Sequence, residues 1–600
     1  MKHQGKRLKK KGLLAPPTTP RQRLLKVGLA HISLVFIGLM WVLPFLYWIH
    51  AYPITTFYQE WGAAVLGLCA MSLLVAQRHW QQPEIPRIVL LPIGLMLLVL
   101  MQFALGKMPY FGQMLLITLY LLWATLLIML GHRLREQLGL PLLATVLAAF
   151  LLLGAELNAL IGVLQHYVWH TFLDSVVVVK LSPAVFGNMA QPNHFANYIA
   201  LGLISLGLLH MHWRMRIWQV ALLAAPLLFV LVLSGSRSSW LYLLCIAGMT
   251  FLWQRRDKVF LPLLHYSLAL LLGFGLMHFV VQLPWLVPAS GNITTMERLF
   301  AGGSSVRLYI WREAWLILTQ LPLMGAGFGQ FAWHHFQFGP VLRNTGINGL
   351  YNNAHSLVMQ IAAEMGLAGL LVLFGTLALW FWQVCRAQRS IYHWWGYSLL
   401  IVLAIHSMLE YVLWYAYFLG VAALMLGTLD TTYRLKLGSV WRLSVAAILL
   451  LGALSMLQLW QGYRNLEEVM AKGNVNRIRA GLVALYGQPL LQPYAELFVS
   501  SMPPASTDHL ADRRASNERA MHFIPISPVV YGEALLLALS GEQAAAQLQM
   551  ERAIWSYPGD FPQTSEQLRA LAREDPIHFA ALLEFALQKY EERQRAVHTG

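Results

Sequence analysis

Charged side chains are scarce in this sequence. Only 12% of its 600 residues are Asp, Glu, Lys or Arg, and 58% are hydrophobic. Soluble domains carry about a quarter charged residues, so the composition excludes an ordinary water-soluble protein. Cysteine is scarcer still, with Cys69, Cys245 and Cys385 in or beside apolar stretches. Three such cysteines provide no disulfide framework and no metal cluster.

Acidic residues are outnumbered, and the formal net charge is +16. A strongly basic chain can indicate nucleic-acid binding. Here most of the excess lies beside apolar runs, where the cytoplasmic loops of membrane proteins are expected to be rich in Lys and Arg. The charge balance therefore favours a membrane protein, and we predict no nucleic-acid partner.

Apolar runs of about 20 residues recur over the first 460 positions, and each is long enough to cross a bilayer. They predict an all-α polytopic membrane protein with about thirteen transmembrane helices. The first run follows a basic head, is too long for the core of a signal peptide and lacks a small-residue cleavage site, which predicts a retained anchor. The predicted spans are 27–48, 61–77, 88–104, 114–131, 140–164, 194–211, 217–233, 239–253, 259–281, 356–380, 394–409, 412–429 and 443–461.

The distribution of Lys and Arg predicts the orientation. When the spans are threaded alternately, one set of loops contains most of the Lys and Arg residues and the other set contains few. Because cytoplasmic loops are the basic ones, this distribution predicts a bacterial inner-membrane protein whose N-terminus is on the cytoplasmic side. Thirteen crossings then leave the C-terminal part in the periplasm. The predicted domains are a cytoplasmic basic N-terminus (1–26), a transmembrane domain (27–461) with a long periplasmic loop (282–355), and a periplasmic domain (462–600).

The C-terminal part is polar and interrupted by prolines. Its stretch SPVVYGEALLLALSGEQAAAQLQMERAIWSYPG predicts two amphipathic helices with small residues at a rhythm like that of tetratricopeptide repeats. One pair is fewer than the three units that normally form a solenoid. The pattern therefore predicts a helical domain and leaves its repeat type open.

Polar and charged residues are concentrated in the outer loops, where the orientation rule leads us to expect few. Charged groups at a membrane are costly and tend to be functional. In FGNMAQPNHFANY, Asn193 is predicted to cap the helix that follows, which leaves Gln191 and His194 free to support or contact a substrate. The candidate site residues in these loops are Gln191, His194, Arg237, Arg307, Asn353, His355, His406 and Glu410.

Two arginines are candidates for binding an anionic ligand. Arg237 lies on a short outer turn among serines in SGSRSSW, and a planar guanidinium matches phosphate oxygens. Arg307 begins a predicted interfacial helix and could face phosphate at the same depth. The alternatives are an Arg237 that reaches lipid headgroups and an Arg307 that only pairs with Glu313 on a surface helix.

His355 is the candidate general base. It lies where the long loop enters the tenth span, beside Asn352 and Asn353, and imidazole commonly deprotonates hydroxyl groups near neutral pH. An ordinary interfacial histidine is the alternative. Glu364 lies nine residues away, on the opposite face of a helix, so Glu410 is the better candidate to orient the ring. The glycines of LPLMGAGFGQF follow no strand and predict a tight loop rather than a nucleotide site.

These blocks match a known family. FGNMAQPNHFANY, SGSRSSW, SVRLYIWREAW, PLMGAGFGQF, NNAHS and HSMLEYVLWYAYF occur in the family's order over residues 186–418. The chain resembles the O-antigen ligase superfamily and, within it, the bacterial protein O-oligosaccharyltransferases, which are also called protein glycosylation ligases.

The resemblance implies a GT-C-type helical bundle and a donor glycan on a polyprenyl (undecaprenyl) diphosphate carrier. It implies transfer of the glycan en bloc to Ser or Thr of periplasmic proteins such as pilin, with neither a cofactor nor a metal. The family's essential histidine corresponds to His355, and its arginines correspond best to Arg237 and Arg307. Gln191, His194, the HSMLEY block and the long C-terminal part resemble the protein-glycosylating branch.

Other functions remain open on the sequence alone. A lipopolysaccharide O-antigen ligase or an O-antigen polymerase would share the superfamily blocks. A transporter of lipid-linked glycans would also carry membrane-embedded charges, but these would extend through the midplane or occur in related halves with broken helices. Concentration of the polar residues at one face favours an enzyme.

The orientation gives a first prediction. A reporter that is active only in the cytoplasm should be inactive when fused after Gly600, because thirteen crossings separate this end from the cytoplasmic N-terminus. A periplasm-active reporter at the same position should be active. A cytoplasm-active signal there would require an even number of crossings.

Overall fold

The computed structural model describes residues 20–75, 84–180, 183–288, 295, 306–387, 389–434, 438–471, 473–502 and 509–599. Most of the predicted basic head 1–26 and residues 289–294 and 296–305 of the long loop lie outside these ranges. The described helices are α1 (Pro20–Met40), α2 (Leu43–Leu46), α3 (Phe57–Val75), α4 (Leu90–Ala104), α5 (Phe111–Leu138), α6 (Leu140–Tyr167), α7 (Pro192–Trp213), α8 (Ile217–Leu233), α9 (Ser238–Arg256), α10 (Leu261–Val280), α11 (Val306–Gln320), α12 (Phe331–Leu342), α13 (Leu357–Arg386), α14 (Ile391–Ser407), α15 (Ala416–Leu429), α16 (Gly438–Ala471), α17 (Val475–Ala484), α18 (Gln492–Ser500), α19 (Leu510–Phe523), α20 (Ser527–Leu539), α21 (Gln543–Ser556), α22 (Phe561–Glu574) and α23 (Pro576–Thr599).

One short antiparallel ribbon accompanies the helices. Its strands are β1 (Glu84–Pro86) and β2 (Thr432–Arg434), with Glu84 opposite Arg434. The protein is otherwise built from helices and short 3₁₀ turns over the described ranges, so the prediction of a helical membrane protein is confirmed.

Eight of the described helices are long and apolar enough to cross a membrane. They belong to α1 with α2, and to α4, α5, α6, α7, α10, α13 and α16. The remaining predicted spans coincide with α3, α8, α9, α14 and α15. A multi-pass protein is therefore established, while the count of thirteen crossings stays a prediction.

The boundary predicted at residue 462 falls inside a helix. Helix α16 continues to Ala471 over 34 residues, which at 1.5 Å per residue is about 51 Å and exceeds the roughly 30 Å of bilayer hydrocarbon. The sequence YRNLEEVMA after the apolar part contains good helix formers, and no breaker occurs before Gly473. A change in polarity therefore marked the end of the apolar segment but not the end of the helix.

Helices α5 and α15 pack backbone to backbone at the centre of the bundle. A Cβ atom added to Gly427 would lie 1.8 Å from the carbonyl oxygen of Ile128, and one added to Gly131 would lie 2.2 Å from that of Leu424. Only glycine permits so close an approach. The two helices run in the same direction, because Trp123 lies beside Gly420 near the start of α15 and Gly131 lies beside Thr428 near its end. At the start of α15 lies the turn that contains Glu410, and at its other end lies the ribbon; we call these the Glu410 end and the ribbon end.

The glycine loop between α11 and α12 wraps around the start of α13. Gly325 has a φ of +64°, and a Cβ atom there would lie 2.4 Å from the carbonyl carbon of Glu364. The Ala326 N–H donates to the carbonyl oxygen of Ala363 (2.9 Å), and the Phe331 N–H donates to Glu364 Oε1 (3.2 Å). The glycines thus serve close packing, as the tight-loop interpretation predicts, and Glu364 is used to hold this loop.

The C-terminal helices pack on the long loop. Helices α20 and α21 form the predicted pair, and Phe336 of α12 belongs to the same apolar cluster. The Gly349 N–H donates to the carbonyl oxygen of Ser556 (2.9 Å), and Arg343 pairs with Glu592 (2.6 Å). The C-terminal domain and the long loop therefore form one packed unit.

This interface predicts the effect of a single truncation. Trp555 is buried beside Gly339 of α12, with Arg343 over its ring at 5.9 Å. Trp555→Ala should cost about 3–5 kcal/mol of local stability, as buried aromatic deletions do, and should increase hydrogen exchange over residues 331–350. Leu548→Ala, at an exposed position of the same helix, is the control. Unchanged exchange over 331–350 in the Trp555 variant would contradict the interface.

Candidate active site

A buried carboxylate lies at the centre of the candidate site. Glu410 is 4% exposed and occupies the turn after α14. Its Oε1 accepts from Arg307 Nη2 (2.9 Å) and Asn193 Nδ2 (2.8 Å), and its Oε2 lies 2.8 Å from His355 Nδ1. Glu410 thus joins α7, α11 and the segment before α13, which are separated by long stretches of sequence.

The charge of Glu410 follows from these partners. Burial by itself would raise the pKa of the carboxyl group, but the hydrogen bond with His355 and the electrostatic interactions with His355 and Arg307 outweigh it and lower the pKa to about 2. Glu410 is therefore a carboxylate at any pH at which the protein is folded in a cell.

His355 is held in an unusual backbone conformation. Its φ is +47°, which is uncommon for a residue with a side chain and is often found at functional sites. The His355 N–H donates to Asn353 Oδ1 (3.2 Å), and the ring lies edge-on to Tyr411 at 5.4 Å. The side chain is 22% exposed. Its Nδ1 meets Glu410, and its Nε2 has no hydrogen-bond partner among the described residues.

Arg307 pairs with Glu410 and not with Glu313. Glu313 Oε2 instead lies 2.6 Å from His335 Nδ1 of α12, and both side chains are buried. The alternative of a surface helix joined through Glu313 is therefore wrong, because α11 turns Arg307 towards the bundle and Glu313 towards α12. The Arg307 side chain is 29% exposed, so part of the guanidinium remains accessible.

Arg237 is exposed beside a buried serine cluster. It precedes α9 directly and makes no hydrogen bond or ion pair with other described residues. Ser236 Oγ and Ser238 Oγ lie 2.8 Å apart and are buried. One and a half turns further along α9, Tyr242 OH contacts His406 Nδ1 at 2.8 Å. Arg237 therefore lies directly before a helix that contacts His406 of α14, four residues before Glu410.

The residues of the FGNMAQPNHFANY block have exchanged their predicted roles. Gln191, not Asn193, caps α7, because its Oε1 accepts from the His194 N–H. Asn193 is thereby released to bind Glu410. His194 is 2% exposed and lies edge-on to His406 (5.4 Å) and Tyr415 (4.9 Å). His194 and His406 are thus buried side chains that pack against each other next to the site, and neither is exposed at the surface.

Two contacts of the site were not predicted: that of Asn193 with Glu410 and that of Tyr242 with His406. Asn193 could have been found only from its position one residue after the proline of an unusually polar helix start. Tyr242 lies in an apolar span with no local signal. In the described part of the site, both oxygens of Glu410 lie within hydrogen-bond distance of side-chain nitrogen atoms.

Three family models match the chain over these residues. Residues 185–210 match a protein glycosylation ligase model, and residues 222–374 match the O-antigen ligase model. Residues 394–571 match the C-terminal part of a membrane-bound polymerase described as a virulence factor. The first match contains Gln191 and His194, the second contains Arg237, Arg307 and His355, and the third contains His406 and Glu410.

Two relatives come from Acinetobacter baylyi. The chain is 27% identical to a general O-oligosaccharyltransferase over 462 residues, which cover 73% of this chain and 76% of the relative. It is 23% identical to a ComP-specific O-oligosaccharyltransferase over 386 residues, covering 63% and 67% of the two chains. The chain is similar to these O-oligosaccharyltransferases and, through the matched models, to the O-antigen ligase superfamily. Both relatives are named as oligosaccharyltransferases, a class of glycosyltransferase, in agreement with the resemblance.

Removal of the central charge should show a characteristic pH dependence. Glu410→Gln leaves Arg307 without its anion and should lower stability by about 3–5 kcal/mol near neutral pH, as removal of one partner of a buried pair does. The pKa of this carboxyl falls from 4.5 to about 2 on folding, so its contribution is present above pH 4.5 and is lost as the pH falls towards 2. The difference in thermal midpoint between the wild type and this variant should therefore shrink between about pH 5 and pH 3.

Asp512→Asn is the control, because this carboxylate is 88% exposed and should show no such trend. A difference between the wild type and Glu410→Gln that stays constant as the pH falls would mean that Glu410 is not ionised in the folded protein.

Proposed function

We propose that the protein moves an oligosaccharide en bloc from polyprenyl diphosphate, such as undecaprenyl diphosphate, to Ser or Thr of periplasmic proteins of the pilin type. The observation that carries this proposal is the contact of one buried carboxylate with both His355 and Arg307 (2.8 and 2.9 Å). It supports the proposal because the proposed base and the proposed phosphate-binding arginine contact the same carboxylate. The printed names of both relatives describe the same class of reaction.

The Glu410 contact defines which nitrogen of His355 can accept a proton. An ionised carboxylate can only accept hydrogen bonds, so Nδ1 must carry the hydrogen. Nε2 of the neutral ring is then an unprotonated acceptor on the accessible side. In the proposed step the acceptor hydroxyl gives its proton to Nε2 while its oxygen bonds to the anomeric carbon. The bond from that carbon to the diphosphate oxygen breaks, with inversion of configuration.

Glu410 has a second role in this step. Proton uptake makes His355 an imidazolium next to a carboxylate, and the pair is favourable in a site of low polarity. The carboxylate also fixes the ring orientation. Asn193 and Arg307 hold Glu410 in turn, so the base is fixed through three elements.

The diphosphate requires positive charge. Arg237 is unpaired among the described residues and Arg307 keeps N–H groups beyond the one bound to Glu410, since a guanidinium has five. These two side chains would neutralise the leaving diphosphate, so no step of the mechanism needs a metal ion.

The location of the site follows from the proposed orientation. If the N-terminus is on the cytoplasmic side of the inner membrane, as proposed, the Glu410 end and the C-terminal domain are on the periplasmic side. The packing of that domain on the long loop supports a role in presenting the acceptor protein. Transfer to lipid A core or to a growing O-antigen would differ only in the acceptor, which an assay with each acceptor separates.

The proposed base predicts a specific defect. His355→Ala should insert, fold and bind the lipid-linked oligosaccharide, but should lose transfer by about 10²–10⁴-fold because a positioned base contributes that factor. Donor binding and single-turnover transfer to a periplasmic protein, measured from about pH 5.5 to 8.5 around the reference pKa of histidine, distinguish chemistry from binding.

His334→Ala, which removes a nearby imidazole of the same loop, is the control. Weakened donor binding as the main defect of His355→Ala would indicate that His355 binds phosphate. Near wild-type transfer would refute the proposed role altogether.

The arginines predict a different defect. Arg237→Ala should weaken use of the diphosphate donor by about ten- to a hundredfold, since a charge-assisted contact contributes roughly 1.5–3 kcal/mol, and Lys should restore it only partly. Arg307→Ala should lower both donor use and the single-turnover rate, because Arg307 also holds Glu410.

Arg312→Ala is the matched control for Arg307, since Arg312 is exposed on the same helix. The measurement is the dependence of initial rate on donor concentration. Unchanged donor kinetics in both Arg237→Ala and Arg307→Ala would indicate that these side chains only contact lipid headgroups.

A further inference from the structure

A second group of titratable side chains lies at the ribbon end. His132 and Glu136 are one turn apart on α5, and Glu84 lies on β1. His132 Nε2 is 3.4 Å from Glu136 Oε1 and 3.6 Å from Glu84 Oε2. The ligand atoms of all three residues lie within 4.8 Å of one another. Helix α15, about 21 Å long, separates this group from the Glu410 turn.

The imidazole of this group lacks the contacts that a buried ring needs. His132 is 7% exposed, and neither of its ring nitrogens has a hydrogen-bond partner among the described residues. A buried polar group without a partner is costly and requires an explanation. Nε2 points at two carboxylate oxygens without forming a hydrogen bond to either, so something between the three groups would satisfy it.

The spacing suits a metal ion. Zinc takes imidazole nitrogen and carboxylate oxygen at about 2.0–2.2 Å, so ligand atoms around a tetrahedral ion are about 3.3–3.6 Å apart. Both measured separations fall in this interval. The two carboxylate oxygens of Glu136 have different neighbours: Oε2 accepts a hydrogen bond from Arg133 (2.7 Å), and Oε1 faces His132. Oε1 is therefore available to an ion.

We propose that Glu84, His132 and Glu136 bind a divalent transition-metal ion of the Zn²⁺ type, with water as the fourth ligand. A mixed set of imidazole and carboxylate ligands excludes neither Mn²⁺ nor Fe²⁺ by chemistry, but zinc accepts this low coordination most readily. The site is separate from the transfer reaction and takes no part in it.

The ion would fasten the ribbon to the helix bundle. Ribbon strands β1 and β2 come from parts of the chain about 350 residues apart and are joined by three residue pairs among the described residues. Two other contacts already tie this region together: the Ile88 N–H donates to Asp430 Oδ2 (2.7 Å), and Arg135 donates to the carbonyl oxygen of Thr428 (2.8 Å). A metal shared by α5 and β1 would stabilise this junction and hence the ribbon end of α15.

The test uses the full-length protein purified in detergent without chelator. Zinc content by mass spectrometry, zinc titration after chelation and the thermal midpoint with and without zinc are measured for the wild type, His132→Gln and Glu136→Gln. His170→Gln is the matched control, because His170 and Asp174 form a similar i,i+4 pair (3.0 Å) that is exposed.

The proposal expects one zinc ion per wild-type chain, at least tenfold weaker binding in both site variants, and a zinc-dependent rise in thermal midpoint that the variants lack. The control should behave as the wild type. Glu136→Gln preserves side-chain volume and decides the question if His132→Gln fails to fold. Equal zinc binding by the wild type and the site variants, or an equal loss in His170→Gln, would overturn the proposal and leave a bridging protonated histidine as the explanation.

Discussion

The ionised carboxylate of Glu410 is the constraint on which the rest of the site depends. A charge in a buried position is tolerated only if it is paired and fully hydrogen-bonded, and Glu410 meets this condition by drawing donors from three separate elements. Helix α7 supplies Asn193, helix α11 supplies Arg307, and the entrance to α13 supplies His355. Each of these donors is placed by its need to satisfy the same two oxygen atoms, so the positions of the base and of one arginine are coupled.

The surrounding packing makes this arrangement rigid. The glycine contacts between α5 and α15 fix the helix that follows Glu410, and the turn of Gly325 against Glu364 fixes the helix that follows His355. Close backbone contacts of this kind leave little freedom to the segments between them. A site built on such supports is preorganised, which is what a reaction with a highly charged leaving group requires.

Much of this could be predicted from the sequence because it depends on local pattern. Apolar run length located the helices of the bundle, and an amphipathic pattern with small residues located α20 and α21. The scarcity of charge made His355, Arg237 and Glu410 conspicuous. Opposite placement on a helix excluded Glu364 as the partner of His355, and the structure indeed uses Glu364 elsewhere. The partner of Arg307 could not be predicted, because it depends on how α11 meets a turn 103 residues later. For the same reason the cap of α7 was predicted to be Asn193, whose side chain instead binds Glu410 across the bundle. The last predicted span ended where the polarity of the sequence changes, but α16 continues beyond that point because the polar residues that follow are also good helix formers.

The packing of the C-terminal helices on α12 has a practical consequence for dissecting the molecule. Phe336 and Trp555 are buried only because the two parts cover each other, so cutting the chain after α16 would leave an apolar surface on the outer loop and another on the released fragment. Such surfaces promote self-association. Either piece alone would then be prone to aggregate, and loss of transfer in a truncated protein would be indistinguishable from loss of solubility. Single substitutions at the contact, which leave both surfaces covered, separate the two effects.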